Sequence, residues 1–325
     1  MVLEFKLVTP HMYHKYNMNI GITITNHNQN ANIKKTLDIL GKQTKQPDII
    51  FVCSDGKPFK TKQKNVICIN NDKLKGRCQN RNSVIPYFLN ADIDALIFID
   101  GDCTIMTDKF FDKYQQLFKK YDLIFGSRIH SNIDGLEKPP SDLLTANMDN
   151  LYNKTELDYR DLRVVSGAFD VWEKSKEFSE KLDLLLTGMI SWSCNFGITK
   201  NGLRKLLKFE EYNFNNSGLF DNYCFKGKWG YEDVAMGIDA LYAGLNIGVS
   251  DEIQVLHKSH NRSDGLFDHI KGRHLIMERY RNIETNKNIK NSVYWAMILA
   301  SLFYSVGLIT GLFTEYMSLM KIFGF

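Results

Sequence analysis

The sequence lacks the cysteine pattern of a disulfide-stapled protein. Its six cysteines contain no C-x-x-C pair and follow no regular spacing; they are Cys53, Cys68, Cys78, Cys103, Cys194 and Cys224. Cys53 and Cys68 lie in strand-like apolar runs, where a free cysteine behaves as a small hydrophobic residue. We therefore expect a reducing compartment rather than a disulfide scaffold.

The sequence also lacks a strong charge of either sign and an apolar leader. The net charge is only +4 and the lysines are scattered, which speaks against nucleic acid as a partner. The first residues, MVLEFKLVTPHMYHKY, have no uninterrupted apolar core, so no signal peptide is predicted. With 325 residues, the chain has room for one large α/β domain or two smaller ones.

Charge is missing altogether from residues 292–314. As a helix this stretch is roughly 35 Å long, enough for a membrane span, an interfacial helix or a long buried helix. Tyr294 and Trp295 at its start are typical of a membrane interface. Five basic residues precede it: Arg273, Arg279, Arg281, Lys287 and Lys290. The length of the stretch predicts membrane association, and the basic residues before it predict that the globular part faces the cytosol.

Strand-like and helix-like segments alternate in the first hundred residues. Apolar runs predict strands at 19–25, 48–53, 65–70 and 96–99. Helices are predicted at 30–43 and at 73–90, the second interrupted near Pro86. This β-α-β order predicts a mostly parallel sheet whose carboxyl edge brings the segments TNHN, CSDG and DGDC together.

The segment DALIFIDGDCTI ends a buried strand on two aspartates, Asp100 and Asp102. Gly101 removes the side chain between them, so the chain can turn and a ligand can approach. Two such carboxylates repel each other unless a proton or a metal ion intervenes. The motif is therefore a divalent-metal site for a phosphorylated substrate, a covalent phosphoryl acceptor or an ordinary acidic turn.

Three further groups of polar residues are candidates for a functional site, and each also has an ordinary structural explanation. Asp55 in SDGKP either forms a turn or accepts the N3 hydrogen of a uracil. Glu232 and Asp233 start a predicted helix, where acidic residues commonly act as caps. His257 and His260 follow a strand, either as surface histidines or as ligands of a metal site.

The order of these motifs resembles a GT-A glycosyltransferase of the inverting, family-2 type over roughly residues 19–265. The second half is also similar to the C-terminal domain of β-1,4-galactosyltransferases. The matching segments are ITITNHNQNANIKKTLDILGKQT, VCSDG, GRCQNRN, FIDGDC, SWSCNFGITKNGL, WGYED and HKSHNR. Two departures stand out: TNHNQN replaces the usual proline-bearing loop, and YED lacks the extra acidic residues that would indicate the sugar.

The resemblance implies an α/β GT-A (nucleotide-diphospho-sugar transferase) fold with a mostly parallel central sheet flanked by helices. The expected division is an N-terminal extension (1–18), the glycosyltransferase domain (19–265), a basic helical connector (266–291) and a hydrophobic C-terminal helix (292–325). That last helix is expected to be membrane-associated or transmembrane.

The activity implied by the resemblance is metal-dependent, inverting transfer of a hexose from a UDP-sugar to an acceptor hydroxyl. Asp102 and His260 would bind Mn²⁺ or Mg²⁺, and Asp100 would contact the ribose or, through water, the metal. Asp233 would deprotonate the acceptor hydroxyl, while Glu232 would hold sugar hydroxyls. His257, by the same resemblance, would matter less than its partner.

Other residues would bind the donor and the sugar. Asp55 would read uracil, and Arg77 and Arg81 would offset the diphosphate charge unless they form a solvated helix face. The implied sugar contacts, two of which are alternatively core tryptophans, are Trp192, Asn195 and Trp229. Glycan, protein, lipid-linked sugar and small molecule all remain open as the acceptor.

Two alternatives belong to other classes of protein. IDGDCT also fits the D-x-D-x-T motif of haloacid-dehalogenase phosphohydrolases, with Asp100 as the phosphorylated nucleophile. In those enzymes the motif usually closes the first core strand, whereas three predicted strands precede it here. The other alternative is a membrane-tethered, non-catalytic sugar-binding protein.

Overall fold

Eight strands form one sheet within the part of the chain that the computed structural model describes, residues 18–71, 75–131, 168–186, 190–221, 225, 231–258 and 266–280. The strands are β1 (Ile20–Asn26), β2 (Ile49–Asp55), β3 (Val66–Asn71), β4 (Ala95–Asp100), β5 (Cys103–Ile105), β6 (Leu123–Ser131), β7 (Asn195–Thr199) and β8 (Ile247–Lys258). The helices are α1 (Asn30–Leu40), α2 (Arg77–Asn82), α3 (Ile85–Asn90), α4 (Phe110–Phe118), α5 (Phe178–Leu186), α6 (Lys200–Phe214), α7 (Glu232–Tyr242) and α8 (Leu266–Tyr280).

The first half of the sheet is parallel, in the order β3-β2-β1-β4. Strands β1 and β4 are apolar and buried almost throughout, as expected for parallel strands covered on both faces. Helix α1 packs its predicted apolar face, Ile33, Leu37 and Leu40, into the core. All four predicted strands and the carboxyl-edge position of their polar ends are confirmed.

The second half of the sheet makes it mixed rather than mostly parallel. Strand β7 runs antiparallel between β4 and β6, β8 is parallel to β6, and β5 is antiparallel to β8. The rings of Phe98 and Phe196 stack at 4.4 Å across the β4–β7 pair. The predicted parallel order therefore holds only for the first four strands, because β7 enters the sheet in the opposite direction.

The predicted helix at 73–90 is two helices, α2 and α3, with Pro86 in the first turn of α3. Proline is tolerated there because the amide it lacks has no partner in a first helical turn. Residues 266–280 of the predicted connector form helix α8. No helix in the described ranges is long and apolar enough to cross a membrane, and the predicted hydrophobic helix at 292–325 lies outside them.

Candidate active site

A cleft of about 390 Å³ lies where strands β1, β2 and β4 end. Five residues predicted to bind donor or metal line it: Asp55, Arg77, Arg81, Asp100 and Asp102. These residues come from strand β2, helix α2, strand β4 and the turn after β4, and they meet because parallel strands end at one edge of a sheet. His257, from β8, lines the same cleft.

Asp55 fixes the loop that leads into helix α2. Its Oδ1 accepts a hydrogen bond from the Lys75 amide at 2.7 Å and its Oδ2 from the Gly76 amide at 3.0 Å. Gly76 has φ of +82°, a left-handed conformation that glycine adopts without strain. Each carboxylate oxygen has a second lone pair, so Asp55 can still accept a hydrogen from a ligand in the cleft.

Arg81 is a buried cation that joins two carboxylates. Its Nη2 donates to Asp100 Oδ1 and Oδ2 at 2.9 and 3.0 Å, and its Nη1 donates to Glu232 Oε1 at 3.3 Å. Although burial opposes the charge, Asp100 and Glu232 raise the pKa of the Arg81 guanidinium above its ordinary value. Arg81 lines the cleft but is buried, so it is not on a solvated helix face, and its contact with a diphosphate stays a prediction.

Asp100 has a second partner that the sequence motif did not reveal. Thr25 Oγ1 donates to Asp100 Oδ1 at 2.7 Å, because the two residues are register partners on the parallel strands β1 and β4. Burial alone would raise the pKa of Asp100, but Arg81 and Thr25 lower it, so the carboxylate stays ionised. The sequence signal for Thr25 is its place at the end of a predicted strand that neighbours the D-x-D strand.

Gly101 leaves no space for a side chain. A Cβ at this position would lie 2.5 Å from the Thr25 carbonyl oxygen and 2.8 Å from Gln29 Oε1. The middle residue of the D-x-D motif is thus glycine because the turn packs directly against β1.

Arg77 lines the cleft as well and is less buried than Arg81. Its Nη1 donates to Glu232 Oε1 at 3.1 Å, and its side chain remains 32% exposed. Glu232 itself is buried and receives both arginines on one oxygen. Glu232 therefore lies behind the arginines rather than among the cleft-lining residues, and Arg77 is the better placed of the two to meet an anion.

Asp102 lies beside a histidine and a cysteine. His257 Nε2 is 3.5 Å from Asp102 Oδ2, and Cys103 Sγ is 3.9 Å from Asp102 Oδ1. One ligand atom from each of the three residues lies within 4.8 Å of the other two. The histidine found next to Asp102 is thus His257, whereas His260 lies outside the described residues.

Asp233 lies in the first turn of α7, next to Glu232. Its Oδ1 accepts from the Val234 amide at 2.9 Å, and its Oδ2 is 3.5 Å from the Ser193 amide. Burial raises the pKa of Asp233 to about 6, and the charge of Glu232 adds to the effect. A carboxylate that titrates this close to neutral pH is suited to general-base catalysis.

Asn195 does not reach the cleft. Its side chain is fully buried, accepting from the Tyr114 hydroxyl at 3.0 Å and donating to the carbonyls of Ser127 and Ile253 at 3.0 and 2.9 Å. These contacts hold the register shift between β6 and β8 near Gly126. Because both amide hydrogens are used inside the protein, a structural role replaces the predicted bond to a donor hydroxyl.

Trp192 is also buried, although stacking on a sugar would require an exposed ring face. Its side chain is buried, with the Arg128 guanidinium 4.0 Å from the ring centroid. Stacking a sugar on that face requires Arg128 to move, so the structure favours a cation–π contact over the predicted sugar platform. Trp229, the other predicted platform, lies outside the described residues.

The mixed α/β sheet, with a carboxylate-rich cleft at the ends of its parallel strands, is that of a GT-A-like glycosyltransferase. The chain belongs to glycosyl transferase family 2, whose model matches residues 22–207. It is therefore a glycosyltransferase, and the phosphohydrolase and non-catalytic alternatives are set aside. No curated protein matches the chain.

Solved structures agree on the fold. S. aureus TarS (1–349) has a TM-score of 0.53 at 13% identity, covering 89% of this chain and 73% of TarS. TarS in complex with UDP-GlcNAc gives 0.51 at 13%, covering 85% and 70%. The mannosyltransferase PcManGT from Pyrobaculum calidifontis, in complex with GDP-Man and Mn²⁺, gives 0.50 at 10%, covering 94% and 81%.

Proposed function

We propose that the chain transfers a hexose from a UDP-sugar to an acceptor hydroxyl with inversion, assisted by Mn²⁺ or Mg²⁺. The observation that carries the proposal is one cleft holding the carboxylates of Asp55, Asp100 and Asp102 and the Arg77 guanidinium. Its volume of about 390 Å³ is within the range of small-ligand pockets. TarS structures with UDP and UDP-GlcNAc add support for a nucleotide-sugar donor.

The uracil, the ribose and the diphosphate of a UDP-sugar each have a complementary group in the cleft. Asp55 accepts the uracil N3 hydrogen, and Asp100 accepts from a ribose hydroxyl. Arg77 lies beside the diphosphate and offsets its charge. Arg81 is a positioning residue, because it contacts Asp100 and Glu232 and holds both carboxylates in place.

The residues around Asp102 fit a divalent cation. Asp102, Cys103 and His257 offer an oxygen, a sulfur and a nitrogen ligand within 4.8 Å of one another, and the predicted His260 would be a further ligand. An ion held by these residues would offset the charge of the diphosphate, which would make UDP a better leaving group.

Transfer itself requires a base, which we assign to Asp233. The acceptor oxygen attacks the anomeric carbon while the bond from that carbon to the diphosphate oxygen breaks. The hydroxyl proton passes to Asp233, and UDP leaves with the bonding electron pair. Glu232, held by Arg77 and Arg81, carries the charge that raises the pKa of this base. We keep the likeness of WGYED to the galactosyltransferase motif as part of this proposal.

Radiolabelled sugar nucleotides test the donor and the metal. We expect slow hydrolysis of one UDP-sugar among the glucose, galactose and N-acetylhexosamine forms, with Mn²⁺ or Mg²⁺ and not with EDTA. Asp102→Asn should reduce this activity by at least 10–100-fold, roughly the loss seen when even outer-shell metal partners are removed. The exposed Asp92→Asn is the matched control and should behave as wild type. Preference for GDP-mannose, or turnover unaffected by EDTA, contradicts the proposal.

We further propose that residues 292–314 associate with a membrane and that the domain faces the cytosol. The support is the 23-residue uncharged stretch and the basic residues before it. A chain ending at Lys290 should remain soluble after cell fractionation and still bind UDP, whereas the full chain should sediment with membranes. Unfolding of the shortened chain would instead favour a helix packed on the domain.

A further inference from the structure

Cys103 and His257 are directly opposite each other in the sheet. They are register partners in the antiparallel β5–β8 pair, so their side chains emerge on the same face. Both are buried, while Asp102 is partly exposed at the cleft. The sulfur therefore lies beneath the carboxylate that the D-x-D motif presents, and beside the imidazole.

We propose that Cys103 is a direct sulfur ligand of the catalytic metal site, together with Asp102 and His257, and that it shifts the site from Mg²⁺ toward thiophilic divalent ions such as Zn²⁺ and Co²⁺. This proposal deepens the proposed function and rests on it for the role of the ion. Cys103 is not one of the two D-x-D carboxylates, and those carboxylates by themselves do not determine which divalent ion binds.

The three ligand atoms lie only slightly farther apart than the ligands of one bound ion. Tetrahedral ligands at ordinary zinc bond lengths stand roughly 3.4–3.8 Å apart. His257 Nε2 is 3.5 Å from Asp102 Oδ2 and Cys103 Sγ is 3.9 Å from Asp102 Oδ1; with one oxygen of Asp102 as the ligand, the three ligand atoms lie within 4.8 Å of one another. A catalytic zinc site keeps an open position and can expand to five ligands, so Asp102, Cys103 and His257 leave room for a diphosphate oxygen and for the predicted ligand His260.

The sulfur ligand determines which divalent ions the site prefers. Carboxylate and water ligands suit Mg²⁺ and Mn²⁺, imidazole suits Zn²⁺, and thiolate strongly favours the softer ions. Binding replaces the thiol proton, which is released to solvent as the metal–sulfur bond forms. A site without Cys103 keeps only oxygen and nitrogen ligands and should lose most of its preference for Zn²⁺.

Spectroscopy on the full chain without donor tests the ligand directly. Co²⁺ added to reduced wild-type protein should produce a thiolate-to-cobalt charge-transfer band in the near ultraviolet, displaced by Zn²⁺. Cys103→Ser and Cys103→Ala should lack the band. Cys194→Ser is the matched control, because Cys194 is another buried cysteine that interacts with Cys103 and should not be needed. Absence of the band in wild type, or its survival in Cys103→Ser, overturns the proposal.

Calorimetric titration measures the preference. Cys103→Ser should weaken Zn²⁺ binding by roughly 10-fold or more, while Mg²⁺ binding changes by less than about threefold. Equal losses for both ions would mean a purely structural effect of Cys103 and would overturn the proposal. If neither Cys103 variant folds, Cys194→Ser still decides: a band that survives in Cys194→Ser supports Cys103 as the sulfur ligand, and a band that disappears in it overturns the proposal.

These measurements separate the inference from the proposed function. A cobalt–thiolate band without any turnover of sugar nucleotides supports the ligand assignment while the donor assignment fails. Conversely, turnover of a UDP-sugar without the band supports the function and removes Cys103 from the metal site.

Discussion

Asp233→Asn should reduce sugar transfer by about 10²–10⁴-fold, the usual contribution of a positioned base, while UDP binding stays near wild type. Asparagine keeps the size of the side chain and its contact with the Val234 amide but cannot accept the proton. Burial raises the pKa of Asp233 to about 6, so the basic form becomes populated as the pH rises through that value. We therefore expect kcat/KM of wild type to rise with pH and to level off above about 6.

A stability measurement separates a catalytic from a structural Asp233. Its folded-state pKa lies above the unfolded value of 3.8, so the folded state holds a proton that the unfolded state has lost, and stability falls as the pH rises between the two values. Asp233→Asn removes this loss and should be at least as stable as wild type at pH 7. Lower stability together with lost UDP binding would make Asp233 structural, and a product of retained configuration would exclude single displacement.

Arg279→Met should destabilise the protein by about 3–5 kcal/mol, because removing one partner of a buried ion pair leaves the other charge uncompensated. Arg279 is buried on α8 and donates to Glu210 at 2.8 and 2.9 Å, to Asp239 at 2.6 Å and to Asp221. Its guanidinium also lies 3.5 Å from the ring centroid of Phe214. Equilibrium urea unfolding, followed by circular dichroism, measures the loss.

Glu210→Gln is the matched comparison for Arg279→Met, because Arg279 donates to Glu210. We call Arg279, Glu210, Asp221 and Asp239 the Arg279 cluster. Burial, with the nearby charge of Asp239, raises the pKa of Glu210 to about 10, so this carboxyl is protonated at pH 7. Glutamine mimics the neutral acid, and we expect a change within about 1 kcal/mol, the size of one hydrogen bond. Because the raised pKa makes wild-type stability fall as the pH rises from the unfolded value of 4.5 toward 10, Glu210→Gln should flatten that dependence. Similar losses for Glu210→Gln and Arg279→Met would contradict this charge assignment.

The Arg279 cluster also has a functional consequence. Asp239 belongs to α7, the helix that begins with Glu232 and Asp233. The Tyr280 hydroxyl on α8 lies 2.7 Å from Asp239 Oδ1 and 3.0 Å from the Ala235 carbonyl oxygen, two acceptors that share its one hydrogen. Helix α8 thus anchors the helix that carries the proposed base. We therefore expect that weakening the packing of α8 on α7 lowers the rate of sugar transfer before it lowers the affinity for the donor.

The local pattern of the sequence determined the first half of the fold and the position of the donor carboxylates. Short apolar runs predicted β1 to β4, and Pro86 predicted the break between α2 and α3. Parallel strands share one carboxyl edge, so the sequence alone predicts that Asp55, Asp100 and Asp102 lie together. These features depend on periodicity and chain direction, which are local properties.

Tertiary structure alone decided which side chains pair. Arg81 meets Asp100 and Glu232 across 19 and 151 residues of sequence, and Asn195 bonds residues 81, 68 and 58 positions away. His257 lies beside Asp102 because β5 and β8 pair in one particular register. A guanidinium or an amide looks the same in a sequence whether it faces a ligand or a buried carboxylate. Its role follows from long-range packing, which local periodicity does not contain.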